Sequence, residues 1–319
     1  MTRITVIGSL NYDLVTFTDK VPEGGETYQA VAFETHLGGK GLNEALAVAK
    51  LSANNTPTPV RMIGNVGDDQ FGQQLRQVLL DHNVDATEVR ILKGISSGTA
   101  TILVETSGEN RIMIVAGANG ELKPTESDYE GYFPDKQATE YVILQNEYPD
   151  TLKTINWIHK HRPNINVCYN PSPFQPELIT EDVLSKIDFL IVNEVEAKGI
   201  AERLNYNGDI GYESLTEGLF KSLNPRNIQT VVITLGSQGS LLKDKSTPNA
   251  EFVPAVKVDK VVDTTGAGDT FFGGLVSNLA RGVSLTEAGK FATIASSLAI
   301  QSKGAAESIP SYNKVISQL

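Results

Sequence analysis

The sequence predicts an α/β fold: a doubly wound, mostly parallel sheet flanked by helices, Rossmann-like, with a small β-sheet lid. Three observations carry that prediction. First, short apolar runs end in Gly, Asn or Gln: "RITVIG" (3–8), "VRMIGNVG" (60–67), "YVILQ" (141–145), "NVCYN" (166–170), "DFLIVN" (188–193) and "TVVITLG" (230–236). Runs this uniformly apolar suit strands covered on both faces, as in parallel sheets. Second, segments with helical spacing lie between them, at 40–51, 69–81, 150–161, 194–204, 267–281 and 285–301. Strand and helix in alternation are the mark of a parallel sheet. Third, residues 10–37 and 87–118 break the rhythm, and "GTATILVET" and "NRIMIVAGA" flank "SGE" as a hairpin. These two stretches are predicted to lie outside the main sheet, either as a small β layer placed to cover a ligand or as decoration on the surface. The polar segment 203–229 reads as peripheral and partly helical, and no repeat or linker divides the 319 residues, so one continuous domain is expected.

Composition narrows the function. Hydrophobic residues make up 40% and charged residues 20%, which is ordinary for a globular protein and argues against disorder. The formal net charge is −11 and no Lys/Arg cluster tracks along the chain, so nucleic acid is not expected as a partner. Any anion must then be held locally, by backbone amides and one or two placed cations. The single cysteine, Cys168, sits in an apolar run and reads as a buried small side chain; disulfides are excluded. No apolar run reaches the ~18 residues of a membrane span and no signal peptide is apparent, so a cytoplasmic protein without membrane contact is expected. The terminal "SQL" approximates a peroxisomal S-K-L ending without its basic middle residue.

Ligands of open α/β sheets bind beyond the carboxyl ends of the strands. Polar residues fall there in this chain: Asn11 and Asp13 after the first strand, Glu147 after the third, Asn193 and Glu196 after "DFLIVN", and Gly236–Gly239 after "TVVITLG". In "VVDTTGAGDTFFGG" (261–274), Gly266, Ala267 and Gly268 free the backbone amides to face a ligand at the start of a helix. Asp269 follows them, and from position alone it is either a helix cap or a reactive acid. "HLGGKGLNEALAVAK" (36–50) sets Lys40 and Asn43 among glycines at the mouth of an Ala-rich helix, either as a tight turn or as a site for a small polar ligand. The Walker-type phosphate loop, the dinucleotide GxGxxG, the protein-kinase HRD, GxSxG and the HExxH zinc motif are all absent. Gly-rich anion loops near Asp13 and Glu147 favour phosphoryl transfer over a glycosidase carboxylate pair.

Taken in order, "GSLNYD", "GGKGLN", "NPSP", "VNEVEA", "TLGSQG", "DTTGAGDTFFGG" and "KGAAES" resemble the signature regions of the ribokinase-like (PfkB) carbohydrate kinases over nearly the whole chain. The resemblance implies ATP-dependent phosphorylation of a sugar, with D-ribose and its 5-hydroxyl the expected substrate. It assigns Asp269 as catalytic base and Gly266, Ala267, Gly268 and the Asp269 amide as anion hole. Sugar contacts fall on Asn11, Tyr12, Asp13, Gly39, Lys40, Gly41, Leu42, Asn43 and Glu147, with Asp269 itself facing the sugar. Nucleotide contacts fall on Asn193, Glu196, Thr234, Leu235, Gly236, Ser237, Gln238, Gly239, Gly268, Asp269 and Thr293. The Asn193/Glu196 pair also fits the family's element for Mg2+ and phosphate. A potassium-favouring loop falls on Asp263, Thr265, Ala299, Ser302, Gly304 and Ser308. Two positions depart from the family pattern: Thr293 replaces an Asn common in bacterial members, and Ser302 replaces an Arg. The resemblance further implies that 10–37 and 87–118 form a β lid over the sugar, and a homodimer through that lid. Other sugar or nucleoside kinases of the family, or a silent sugar-binding regulator, are the alternatives. The polar set at Asn11, Asp13, Lys40, Asn43 and Glu147 disfavours a nucleoside, and the intact Asp269 disfavours a silent protein.

Overall fold

The structure is a computed structural model that describes residues 2–53, 55, 57–206 and 211–319; residues 207–210 of the polar 203–229 segment lie outside the described residues. The chain begins with β1 (Arg3–Ile7), β2 (Asn11–Thr18), β3 (Ala32–Gly38), α1 (Lys40–Lys50), β4 (Val60–Gly67), α2 (Gln70–Asp81) and β5 (Asp85–Leu92). It continues through β6 (Gly98–Glu105), β7 (Asn110–Val115), α3 (Glu126–Tyr132), β8 (Glu140–Leu144), α4 (Thr151–His161) and β9 (Asn166–Tyr169). Then come α5 (Glu181–Leu184), β10 (Phe189–Asn193), α6 (Glu194–Arg203), α7 (Tyr212–Ser222), β11 (Thr230–Thr234), β12 (Gly239–Lys243) and β13 (Glu251–Pro254). The last helices are α8 (Ala267–Leu279), α9 (Leu285–Ala299) and α10 (Tyr312–Ile316).

Among the described residues, nine strands form one sheet in the order β13-β12-β11-β10-β9-β8-β1-β4-β5, all paired in parallel except that β12 pairs antiparallel with both β11 and β13. Side chains alternate across it, because successive residues of a strand face opposite ways. Phe189 and Ile191 of β10 join the core under α1, α8 and α9, while Leu190 and Val192 join the core under α4, α6 and α7. Apolar cover on both faces explains why these strands lack a polar face in sequence. The chain leaves β1 for β4 and β5 on one side and returns to β8 on the other. That reversal opens a crevice between the carboxyl ends of β1 and β8, the position where ligands of such sheets bind.

The second sheet, β3-β2-β6-β7, is the predicted lid. Its β2–β3 and β6–β7 pairs are antiparallel and its central β2–β6 pair is parallel. One boundary needs correction: the lid stretch expected at 87–118 overlaps β5, which pairs with β4 in the main sheet. As the edge strand, β5 buries Ala86 and Val89 and exposes its other face, so its sequence alternates like that of a lid strand. The antiparallel β12 and β13 lie beyond the expected strand set altogether.

Helix α1 packs lengthwise on α8, and the contact is close enough to exclude a side chain at Gly273. A Cβ there would meet Ala47 Cβ at 2.4 Å and the Val48 nitrogen at 2.9 Å. Gly273→Val is expected to force the helices apart and cost about 1–3 kcal/mol of stability by overpacking. Urea unfolding measures this, and an unchanged midpoint would refute the tight crossing.

Candidate active site

Helix α1 begins at Gly39, whose φ of 88° only glycine adopts freely, and has neither a capping side chain nor an acid in its first turn. Its free amides are satisfied from outside. Glu147 Oε2 accepts the Lys40 N–H at 2.8 Å, and the Ser9 carbonyl accepts the Leu42 N–H at 3.0 Å. A carboxylate at that end also gains from the helix dipole. Ser9 Oγ donates to the same Glu147 oxygen. The helix comes so near the end of β1 that a Cβ on Gly41 would lie 2.7 Å from the Gly8 carbonyl carbon and the Ser9 nitrogen.

This docking aims Lys40 and Asn43 at Asp269 of α8. Asn43 Nδ2 donates to Asp269 Oδ2 at 2.8 Å, and Lys40 Nζ stands 3.5 Å from Oδ1. Asp269 does not cap its own helix: Gly266, in the left-handed conformation at φ 73°, is the N-cap, with no side-chain capping bond. The first-turn amides of α8 are therefore not taken by that carboxylate. Asn43 Oδ1 and Thr270 Oγ1 are buried without hydrogen-bond partners. Burial alone would push the Lys40 ammonium down, but the charges of Asp269 and then Glu147 hold it above the ordinary lysine range.

The lid supplies Asn11 and Asp13. Asn11 Oδ1 accepts from Asn119 Nδ2 at 2.8 Å, and Asn119 also bonds both backbone groups of Leu10. Asn119, on the turn after β7, was not legible as a site residue because its role is set by contact across 108 positions. Burial, with the charges of Glu147 and Glu307, pushes Asp13 up to about 7. Tyr12 is a correction. Strand alternation turns it to the opposite face, where its ring stacks on Phe71 at 4.2 Å and its hydroxyl donates to Gln74 at 3.0 Å. It does not share the face of Asn11 and Asp13. Leu42 and Leu235 likewise bury their side chains in the two cores, leaving only main chain for a ligand.

On the other side of the α8 N-terminus lies a cavity of roughly 600 Å³. Thr234, Gly236, Ser237 and Gly239 line it from β11 and the following turn, Ala267 and Gly268 from α8, and Thr293 from α9. Thr293 Oγ1 is buried and unpartnered, so it has a hydrogen bond to give a ligand there. Gln238 is exposed and outside the lining set. Sequence reasoning missed the wall from Ala255 to Val258 and Val261, whose apolar character next to "DTTGAGD" was the available signal. Asn193 and Glu196 form a capping box on α6: Asn193 Oδ1 accepts the Val195 and Glu196 amides, and Glu196 Oε2 accepts the Asn193 amide at 3.0 Å.

Asp263, Thr265 and Gly304 meet below this cavity. Asp263 Oδ1 accepts the Thr265 amide at 2.9 Å and Oδ2 the Gly304 amide at 3.0 Å. Burial would raise Asp263, but the bonds from Thr265 and Gly304 outweigh it and hold the carboxyl below its usual range. Ala299, Ser302 and Ser308 lie along the same 299–308 turn, where the Ala299 carbonyl accepts the Ser302 amide and Ser308 Oγ donates to the Ala305 carbonyl. Among the described residues, no group of three or more His, Cys, Asp and Glu is placed to hold a metal, and no helix is long and apolar enough to cross a membrane. Cys168 is buried, and burial pushes its thiol well up.

Comparison with known proteins adds an independent line. The model of the pfkB family carbohydrate kinases matches residues 1–312. A ribokinase of Schizosaccharomyces pombe is 38% identical over 318 residues, covering 99% of this chain and 97% of the relative. One from Lactococcus lactis is 36% identical, covering 100% and 97%. The structure of Arabidopsis thaliana ribokinase complexed with ribose and ATP superposes with a TM-score of 0.84 at 29% identity, covering 99% of this chain and 98% of that one.

Proposed function

This chain belongs to the pfkB family of carbohydrate kinases, and from that membership and its site we propose that it transfers the γ-phosphoryl group of ATP to the 5-hydroxyl of D-ribose. One observation carries the reading. Asp269 stands between two compartments, its carboxylate toward Asn43 and Lys40 and its helix N-terminus toward the roughly 600 Å³ cavity. The relatives named ribokinase, and the Arabidopsis complex with ribose and ATP, support ribose and ATP as the two occupants.

In this reading the sugar lies in the crevice under the lid, held by Asn11, Asp13, Asn43, Glu147 and the Gly39–Asn43 main chain. The nucleotide occupies the cavity along Thr234–Gly239 and Thr293. Asp269 removes the proton from the sugar hydroxyl, whose oxygen then attacks the γ-phosphorus as the bond to the ADP oxygen breaks. The amides of Gly266, Ala267, Gly268 and Asp269 and the Lys40 ammonium face the charge that gathers on the moving phosphoryl group. Loss of that proton from Asp269 to solvent, with departure of ribose 5-phosphate and ADP, completes the turnover.

The donor chemistry fits two kinds of cation. Glu196 offers one carboxylate beside the Asn193 amide side chain, which matches the sparse protein ligation of Mg2+ held with substrate phosphates. Such an ion would offset phosphate charge. The carboxylate of Asp263, the Thr265 and Ser308 hydroxyls, and the Ala299, Ser302 and Gly304 carbonyls form an all-oxygen set suited to K+. Its ordering of the 299–308 turn would brace the α8 N-terminus, since Gly266 abuts Ala305. The lid offers a dimer surface: Ile112, Met113, Ile114 and Val115 of β7, with Val31 and Phe33, are all exposed. An apolar run of this kind on an edge strand calls for a partner.

Three experiments test this reading. Asp269→Asn is expected to lower kcat for ribose phosphorylation by at least ~100-fold, the low end of general-base catalysis; near-parental turnover in a coupled ADP assay over pentoses, hexoses and nucleosides would remove Asp269 as base. Replacing K+ with a bulky inert cation should reduce the rate, and Asp263→Ala should abolish that difference; indifference of the parent enzyme to the exchange refutes the cation site. Sedimentation should give a dimer that Ile114→Asp converts to monomer, whereas a monomeric parent overturns the lid interface.

A further inference from the structure

Glu44 lies one turn beyond Lys40 on α1 and is fully excluded from solvent. Its Oε2 accepts a hydrogen bond from Gln145 Nε2, at the end of β8. Two buried oxygens of this same pair, Glu44 Oε1 and Gln145 Oε1, have no partner. Neither oxygen satisfies the other unless one of them carries a hydrogen. A carboxylic acid supplies it: the Glu44 O–H donates to Gln145 Oε1 while the Gln145 N–H donates to the other carboxyl oxygen. The two bonds close a ring and leave no orphan.

The charges around the pair point the same way. Facing Glu44 are Lys40 on its own helix, Asp269 on α8, Glu147 after β8 and the Cys168 thiol of β9. Asp269 and Glu147 already give the Lys40 ammonium two carboxylates, and a third buried anion would have no counter-charge. Burial first, then the Asp269 charge, raises Glu44 well above the ordinary carboxylate range against the pull of Lys40 and Gln145.

We propose that Glu44 and Gln145 form a neutral acid–amide pair that fixes α1 against the end of β8, making Glu44 a positioning residue for the phosphoryl transfer. The sequence places each partner beside a site residue. Glu44 follows Asn43, which donates to Asp269, and Gln145 precedes by two residues Glu147, which holds the Lys40 amide. The pair therefore sets where Asn43 and Lys40 stand relative to Asp269. The link to catalysis rests on Asp269 being the base; the protonation of Glu44 does not.

The experiment compares the parent protein with Glu44→Gln and Glu44→Leu. The parent-minus-Glu44→Gln infrared difference spectrum at pH 7 should show a protonated-carboxyl stretch, the contribution of Asp13 being common to both proteins and cancelling. The second arm uses proton linkage. Above the ordinary glutamate range the unfolded chain releases the Glu44 proton and the folded chain keeps it, so the parent loses stability as pH rises through that window. Gln has no such loss, and the Tm of Glu44→Gln relative to the parent should therefore climb from pH 5 to pH 8. In the third arm Glu44→Gln should keep kcat within about threefold, the scale of one neutral hydrogen bond, while Glu44→Leu should lose ~10–100-fold through misplacement of the reacting groups. A missing carboxyl band, a pH-independent Tm difference, or a Glu44→Gln enzyme as slow as Glu44→Leu would overturn the proposal. Should Glu44→Leu fail to fold, the spectra and the Glu44→Gln rate still decide it. Failure of Asp269→Asn to slow the enzyme would refute the base and leave the first two arms intact.

Discussion

The site depends on a helix that cannot satisfy its own N-terminus. Helix α1 starts at a glycine with no capping side chain, and its first amide is accepted by Glu147 from the far side of the β1–β8 crevice. That bond does two things at once. It satisfies a donor that would otherwise be buried unpaired, and it ties the helix to the strand end where the sheet reverses direction. Because Gly8 and Gly41 allow the helix to come within backbone distance of β1, Lys40 and Asn43 arrive beside Asp269, which α8 presents from the opposite side. Loosening the Glu147 contact would move Lys40 and Asn43 away from Asp269 even with all three still present.

Charge is partitioned around that point. Acids crowd the crevice side: Asp269, Glu147, Asp13 and, a layer deeper, Glu44. Such a surface suits hydroxyl donors and repels phosphate. The cavity side is lined by glycines, hydroxyls, apolar side chains and one cation, Lys257, with the amide end of α8 opening into it. A chain of net charge −11 can thus accept a polyanion on one side of a single helix terminus while keeping its carboxylates on the other. The buried acids stand at the boundary, and raising Glu44 to its neutral form limits the repulsion that an incoming phosphate would meet.

Much of this was legible in the sequence because the governing patterns are local. Apolar runs gave the central strands to within a residue or two, and the helical spacing of 267–281 and 285–301 placed α8 and α9 correctly, each running two residues long at its end. The glycines of "GGKGLN" and "GAGD" marked both helix starts in the site. What stayed hidden depends on neighbours remote in the chain. An edge strand such as β5 alternates as a lid strand does, since both have one covered face. Tyr12 sits in a polar motif, but the period of two in β2 sends it toward Phe71. Glu44 reads as a surface residue of an amphipathic helix until β8, 101 positions later, brings Gln145 against it. Buried polar pairs of this kind leave no periodic trace.

The lid is also not independent of the segment behind the N-terminus of α8. Glu307 accepts the backbone N–H of Leu37 on β3 at 3.0 Å and lies 3.9 Å from His36, while Lys303 reaches Glu34 at 2.6 Å and sits over the Phe17 ring. The exposed ion pairs contribute little by themselves, typically about 0–1 kcal/mol each. Their geometry matters more than their strength. Residues 303–307 lie between Asp263, which holds the Gly304 amide, and the strand that leads directly into Gly39 and α1. The turn that abuts Gly266 and the strand that delivers Lys40 therefore share one short segment, so the N-termini of α1 and α8 are braced through the same few residues rather than separately.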